Sequence, residues 1–339
     1  MYKSGQPIPI APNQLPTKEN NMSKTMFVGV DVAKDKLDVA WRGDVNYSHQ
    51  QFDNNLEGFN TFLVWLNQQT ACPWVCMEAT GHYSELLADY LTEHGIKVSI
   101  INPLQIKQFA RSKLTRNKND ILDARVIAQY AQASQPRIFQ PRSQNQKELK
   151  DLIKLVDTLK AQVIQLKNQL HSTQGEIAKQ SIKSLIKALE VKIIELEKQL
   201  AELVDTEQHL STRFALLLSI KGVGKLTAYK ILSQTPDIGI YQKAKQFAAA
   251  IGVTPQQNQS GKFQGKTTIS RLGDARLRKA LYMAALVAKR YNPILKSFAE
   301  RLKQRGKAPK AIICAVMRKL AHIIFGVLKH QKPFDSALA

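Results

Sequence analysis

Four carboxylates stand at positions where ionised groups could do chemistry together. Asp31 follows the apolar run Met26-Phe-Val-Gly-Val30, and a second strand-like run, Leu37 to Trp41, comes after it. The β-branched and apolar composition of both runs predicts buried strands, with Asp31 interrupting the first. A carboxylate there costs several kcal/mol to desolvate unless something offsets it, a metal ion being the usual partner. The plainer alternative is an aspartate that ends a strand and caps a turn. Glu78 closes a further apolar strand, Trp74-Val-Cys-Met77, and precedes Ala-Thr-Gly81. Asp120 and Asp123 are spaced i, i+3, so they share one helix face. Singly, these two have ordinary readings as an N-cap and a first-turn acid. Brought to one place, the four would repel one another, and divalent cations are the natural way to hold them. Two Mg²⁺ ions so held can activate a nucleophile and stabilise the leaving oxygen of a phosphodiester.

The elements around these acids predict how they could meet. Asn46 to Phe52 reads as a third antiparallel strand, and Leu56, Phe59, Phe62, Leu63 and Leu66 recur at helical spacing. A helix over Tyr83 to His94 stops at Gly95, a favoured C-cap residue. Val98 to Ile101 is a strand closed by Asn102-Pro103, and Asn119 to Ala131 is helical. The order β-β-β-α-β-α-β-α predicts an α/β domain with a mixed sheet over residues 24–140. It is the element order of the ribonuclease H-like fold, in which acids of the first strand, the fourth strand and the last helix converge.

Beyond that domain the pattern becomes helical. Leu149, Leu152, Val156, Leu159, Val163, Leu166 and Leu170 form one heptad seam, and Ile182, Ile186, Leu189, Ile193, Leu196, Leu200 and Leu203 form another. The polar break His171-Ser-Thr-Gln-Gly175 predicts a coiled-coil helical hairpin over residues 145–210. Its pairing could lie within one chain or between chains. In residues 211–334, an apolar helix, the turn Lys221-Gly-Val-Gly224 and a second helix make a helix-hairpin-helix pattern. Backbone N–H groups of such a turn, here at Gly222 and Gly224 beside Lys221 and Lys225, grip a DNA phosphate. Next comes a polar loop holding Ser260, Lys262, Lys266 and Arg271, then a helix that Asp274 caps and that carries Arg276 and Arg278. A loop serine usually only forms a turn. Here Ser260 and Ser270 both lie among cations, where a hydroxyl could approach a phosphate.

The quoted stretches resemble the DEDD transposases of bacterial insertion sequences, which join a RuvC-like domain to a C-terminal transposase domain; Piv-type DNA invertases are relatives. The similarity lies in Val28-Gly-Val-Asp-Val-Ala-Lys34, Glu78-Ala-Thr-Gly-His-Tyr83, Lys118-Asn-Asp-Ile-Leu-Asp-Ala124, the Ser260-Gly pair with Gly265, and Ile269-Ser-Arg-Leu-Gly-Asp-Ala-Arg-Leu-Arg278. It runs from about Met26 to Phe334. The resemblance implies that Asp31, Glu78, Asp120 and Asp123 bind Mg²⁺, or Mn²⁺ in its place. It further implies that Ser260 attacks DNA, with Ser270 as its rival, and that a phosphoserine-linked strand results. It also implies donor and target DNA as partners, a non-coding bridge RNA as guide, and association through the coiled coil into a dimer, or a tetramer on DNA.

Composition agrees with a polyanionic partner. The formal net charge is +22. Between Ile251 and His330 there are 17 lysines and arginines against only Asp274 and Glu300, so the main nucleic-acid surface is expected there. Cys72, Cys76 and Cys314 make no disulfide framework and no zinc spacing, which suits a reducing compartment. No apolar run approaches the ~18 residues of a membrane span and no signal-peptide core is seen, so a cytoplasmic location is expected. Residues 1–23, with Pro7, Pro9, Pro12 and Pro16, read as a disordered leader. The rival readings are a Holliday-junction-resolvase-like endonuclease using water and a non-catalytic nucleic-acid scaffold. An actin-like ATPase ranks last, since no phosphate loop is present.

Overall fold

The computed structural model describes residues 25–42, 47–70, 72–114, 119–235, 237–261, 263–265 and 267–335; the expected leader, Lys262 and Lys266 lie outside them. Two compact units divide the chain, the first ending at Pro141 and the second starting at Arg142.

The first unit contains β1 (Met26–Val32), β2 (Lys36–Arg42), β3 (Tyr47–Asp53), α1 (Leu56–Gln69), β4 (Pro73–Glu78), α2 (His82–Glu93), β5 (Lys97–Ile101), α3 (Pro103–Ser112) and α4 (Asp120–Ser134). The sheet order is β3-β2-β1-β4-β5. The first three strands form an antiparallel meander, while β4 runs parallel to β1 and β5 parallel to β4. This is the ribonuclease H-like arrangement that the element order predicts. Two details differ from the sequence reading. Asp31 does not interrupt β1; the strand continues through it to Val32, because its backbone still pairs with Asp38 of β2. Helix α3 was not anticipated, although Asn102 caps it by accepting from Leu104 N and Pro103 occupies its first turn.

Strand alternation sorts the side chains onto two faces. Val28, Val30, Val32, Val75 and Met77 are buried with Phe59, Phe62 and Leu66 of α1 and Leu87 and Leu91 of α2. The intervening positions of the same strands face the other way. There Phe27, Trp74 and Cys76 pack with Ile106 of α3 and Val126, Ile127 and Ala131 of α4. Each such buried aliphatic side chain contributes about 1.5–3 kcal/mol, so α4 is firmly seated on the face that Asp31 and Glu78 share.

In the second unit, α5 (Gln144–Ser172) and α6 (Glu176–Thr206) fold back on one another. Val163, Ile182, Ile186 and Ile193 are buried between them, and Lys160–Glu197 and Lys167–Glu190 bridge the pair, each at 2.7 Å. The two predicted seams therefore pair within one chain. The outer surface still exposes Ile164, Leu185, Val191 and Ile194. At the base of this hairpin, Leu149, Val156, Leu200 and Val204 join the core of the helices that follow. These are α7 (Gln208–Leu218), α8 (Lys225–Gln234), α9 (Ala244–Ile251), α10 (Ala275–Tyr291), α11 (Pro293–Gln304) and α12 (Pro309–His330). Four two-residue strands lie between α9 and α10: β6 (Pro255–Gln256) pairs with β9 (Thr268–Ile269), and β7 (Gln259–Ser260) with β8 (Phe263–Gln264). Contrary to the expectation that no apolar run nears membrane-spanning length, α12 is long and apolar enough to do so. Its Val316, Leu320, Ile324 and Leu328 are fully buried in the helical core, which accounts for that composition.

Candidate active site

Register and one close approach bring the carboxylates of the first unit to one region of the sheet. β1 pairs with β4 so that Val30 stands beside Met77. The next residues, Asp31 and Glu78, are therefore neighbours on the α4 face. Asn119 caps α4 by accepting from Leu122 N, which leaves Asp120 and Asp123 in the first turn instead of at the cap. Gly29, two residues before Asp31, lets α4 lie directly on β1. A Cβ there would come within 2.1 Å of Ala124 O and 2.4 Å of Ala128 N. All four predicted acids thus lie at one end of the β1–β4–α4 contact.

Their mutual influence is felt at Asp31. Its carboxyl is pushed up to about 6, first by burial and then by the negative charges of Asp123, Asp120, Glu78 and Asp38. Asp38 joins the four acids that the sequence points to. It sits directly across from Asp31 on β2 and is almost fully buried. Burial alone would raise its carboxyl, but hydrogen bonds from Lys36, His49 and Gln51 outweigh that and hold it below the usual carboxylate range. Lys36 Nζ lies 2.9 Å from Asp38 Oδ2 and 2.6 Å from Asp120 Oδ2, and these partners raise the ammonium above its ordinary value.

Among the described residues, no three of His, Cys, Asp or Glu close around a single point as a chelating set. The donor chemistry nevertheless fits a hard divalent cation. Several carboxylates share one face, one of them is pushed toward protonation by burial and by the others, and the Lys36 ammonium lies against two of their number.

In the second unit, Ser260 sits at the turn of the β7–β8 hairpin, paired with Phe263, and is exposed. Gly261 follows with φ +54°, and Gly265 N closes the loop onto Asn258 O at 2.8 Å. Its rival has a bracing role: Ser270 N donates to Thr254 O at 2.9 Å, and its hydroxyl accepts from Thr254 Oγ1 at 3.3 Å. Lys221, Gly224 and Lys225 are exposed at the start of α8. Gly222 instead faces α10, where a Cβ would come within 2.6 Å of Ala288 Cα. Arg271 and Arg276 are exposed, whereas Arg278 Nη1 donates to the carbonyls of Ile251 and Arg271 and ties the loop to α10. Asp274 caps α10 as expected, accepting from Leu277 N at 2.8 Å.

Comparison with known proteins bears on both units. A family model described as "Transposase" matches residues 28–177, and one described as "Transposase IS116/IS110/IS902 family" matches residues 214–300. The "Pilin gene-inverting protein" of Moraxella bovis is 34% identical over 327 residues, covering 94% of this chain and 99% of that protein. The chain belongs to the IS110-type transposase family. The "Transposase for insertion sequence element IS1328" of Yersinia enterocolitica is a more distant relative, 24% identical over 351 residues that cover 93% of this chain and all of that protein. A Thermus thermophilus RuvC structure aligns with 34% of this chain and 99% of its own at 13% identity, with a TM-score of 0.26, too slight a likeness to carry weight. The fold of this transposase's first unit rests on its strand order.

Asp38 and Lys36 are the residues beside the candidate site that sequence reasoning misses. The available signal was the alternation Lys36-Leu37-Asp38-Val39, with its aliphatic positions on one face. What placed Asp38 opposite Asp31 was the β1–β2 register, which the sequence does not state.

Proposed function

We propose that this transposase is a DNA recombinase in which a carboxylate-held divalent cation and the Ser260 hydroxyl serve one strand-exchange reaction. The observation that supports the metal half most directly is positional. Asp31 and Glu78 share the sheet face beneath the first turn of α4, which carries Asp120 and Asp123. Asp31, Glu78, Asp120 and Asp123 would hold Mg²⁺, or Mn²⁺ in its place. When bound, the cation supplies Lewis-acid activation of the attacking oxygen and stabilisation of the leaving one.

Ser260 attacks a DNA phosphodiester. Its Oγ–P bond forms as the P–O bond to the leaving sugar breaks, the serine proton is lost, and a phosphoserine-linked strand and a free hydroxyl end remain. The reverse step, with the hydroxyl of another strand as attacker, rejoins DNA without consuming ATP. Donor and target DNA are the substrates. Exposed Lys221, Lys225, Arg271 and Arg276, together with the Lys262 and Lys266 of the serine loop, supply backbone contacts. A non-coding bridge RNA would select the sequences, leaving the protein to read backbone shape and charge. Subunits would associate through the exposed apolar side of the α5–α6 hairpin as a dimer, or a tetramer on DNA.

The test is recombination between donor and target DNA with Glu78→Gln and Asp123→Asn chains. Both are expected to bind DNA as the parent does and to lose recombination. Retained recombination would contradict the carboxylate site and favour a scaffold role.

A further inference from the structure

A groove of about 670 Å³ opens in the second unit between the β6–β9 ladder and helices α11 and α12. Its volume is that of an ordinary small-ligand site, about 300–1,000 Å³. Ile269, Phe298, Ala311 and Ala315 make an apolar wall. Its charged members are all cations: Lys310, Arg318 and Lys319 line the groove, and no Asp or Glu does so among the described residues. Lys319 Nζ lies 5.7 Å from the centre of the Phe298 ring, which sets an ammonium beside an aromatic surface. His322 also lines the groove. Burial and the charges of Arg318, Lys245 and Lys319 hold its imidazole below the ordinary histidine value, and its Nε2 has no hydrogen-bond partner among the described residues.

An apolar, aromatic-walled slot with cations and no acids matches one chemical object well, a nucleotide whose base has left its stack. The base covers apolar wall, and the flanking phosphates meet the ammonium and guanidinium groups. Paired duplex keeps its base faces stacked, so it has none to lay against this wall. The groove also continues the reactive loop, since Ile269 belongs to β9, which directly follows the Ser260 hairpin. We propose that this groove binds a single unpaired nucleotide of the nucleic acid on which the transposase acts. The inference rests on the DNA-processing reading above and adds a subsite to it.

Cys314 lines the groove and reports its occupancy, because Cys76 is buried and exposed Cys72 can be replaced by serine. The experiment follows alkylation of Cys314 by N-ethylmaleimide in the full-length Cys72→Ser chain. The competitors are a single-stranded oligonucleotide, the same backbone made abasic, and a blunt duplex of equal length, with binding of each measured by filter retention. The expected result is loss of Cys314 labelling with the single strand and unchanged labelling with the bound abasic strand or duplex. An Ala315→Trp chain that fills the groove should lose roughly tenfold in single-strand affinity, one base stack being worth that order, and keep its duplex affinity. If that chain misfolds, as circular dichroism would report, Lys310→Ala at the exposed start of α12 should weaken single-strand binding more than duplex binding. Equal protection by abasic strand or duplex would overturn the base-binding role. A single strand retained on the filter without protecting Cys314 would overturn the groove alone. Retention of no nucleic acid at all would overturn the DNA-processing reading, and the groove with it.

Discussion

The backbone of Ala124 sits so close to Gly29 that a Cβ on the glycine would lie 2.1 Å from the Ala124 carbonyl oxygen. This approach couples two halves of the carboxylate site, because Asp31 is two residues beyond Gly29 and Asp123 immediately precedes Ala124. Backbone cannot move aside as a flexible side chain can. Gly29→Ala should therefore lift α4 from β1 and cost about 1–3 kcal/mol, as overpacking does in well-filled cores. Urea unfolding with and without Mg²⁺ checks this. The parent is expected to gain stability from Mg²⁺, and the variant to lose both stability and that gain.

Protonation of Asp31 gives a second expectation. Its carboxyl is raised from 3.8 to about 6 in the folded chain, so the native state holds more protons than the unfolded one between those values. Stability should therefore fall as pH rises through that window in metal-free protein. Asp31→Asn removes the cost of burying the charge and the repulsion from its neighbours, and should raise stability near neutral pH by roughly 1–2 kcal/mol, the shift being discounted for partial exposure. At the acid end of the window it should change little. Thermal melts across pH in the presence of EDTA provide the measurement, and a gain independent of pH would contradict this account of Asp31.

Lys36 offers a third. Its ammonium is shared between Asp38 and Asp120 and competes with any other cation for those oxygens. Lys36→Met should lower the melting temperature in EDTA, because the carboxylates then repel without relief. The same variant should show a larger Mg²⁺-induced rise than the parent. Equal rises in both chains would mean that Lys36 and the divalent cation do not share oxygens.

Parts of this arrangement could be read from the chain and parts could not. Asp31 and Glu78 were visible because each is a charge attached to an apolar, β-branched run, which local composition alone explains poorly. Asp120 and Asp123 were visible through helical spacing. Asp38 was not, since its meaning comes from the β1–β2 register and from partners on β2 and β3. The strands β6 to β9 were also hidden, each being only two residues long and polar in part. Apolar residues of α12 conform to a membrane-spanning pattern, and only the surrounding helices show that they form a core. Arg278 was expected among nucleic-acid contacts, yet its Nη1 donates to two backbone carbonyls that no spacing rule reveals.

The two serines of the transposase motif should separate cleanly. Ser270→Ala removes one side-chain hydrogen bond to Thr254 and should cost about 0.5–1.5 kcal/mol or less, with strand cleavage retained. Ser260→Ala removes an exposed hydroxyl, so it should leave stability unchanged and abolish cleavage. A gel assay of nicked DNA alongside thermal melts distinguishes the two.

Acids and serine belong to different compact units of the chain, so subunits of an oligomer could share them. A mixture of Asp123→Asn and Ser260→Ala chains, each inactive alone, should regain recombination if one chain's acids serve another's serine. Absence of recovery would confine both groups to one chain.

Joining of DNA to Ser260 with the help of the four acids leaves a chemical record on the protein. Trapping protein on DNA, digesting both, and sequencing the nucleotide-linked peptide by mass spectrometry reads that record. The expected peptide carries a phosphodiester on Ser260, absent when Asp31 or Glu78 is replaced by its amide. A linkage on Ser270, or strand cleavage by the parent with no linked peptide, would rule out Ser260 as the attacking group.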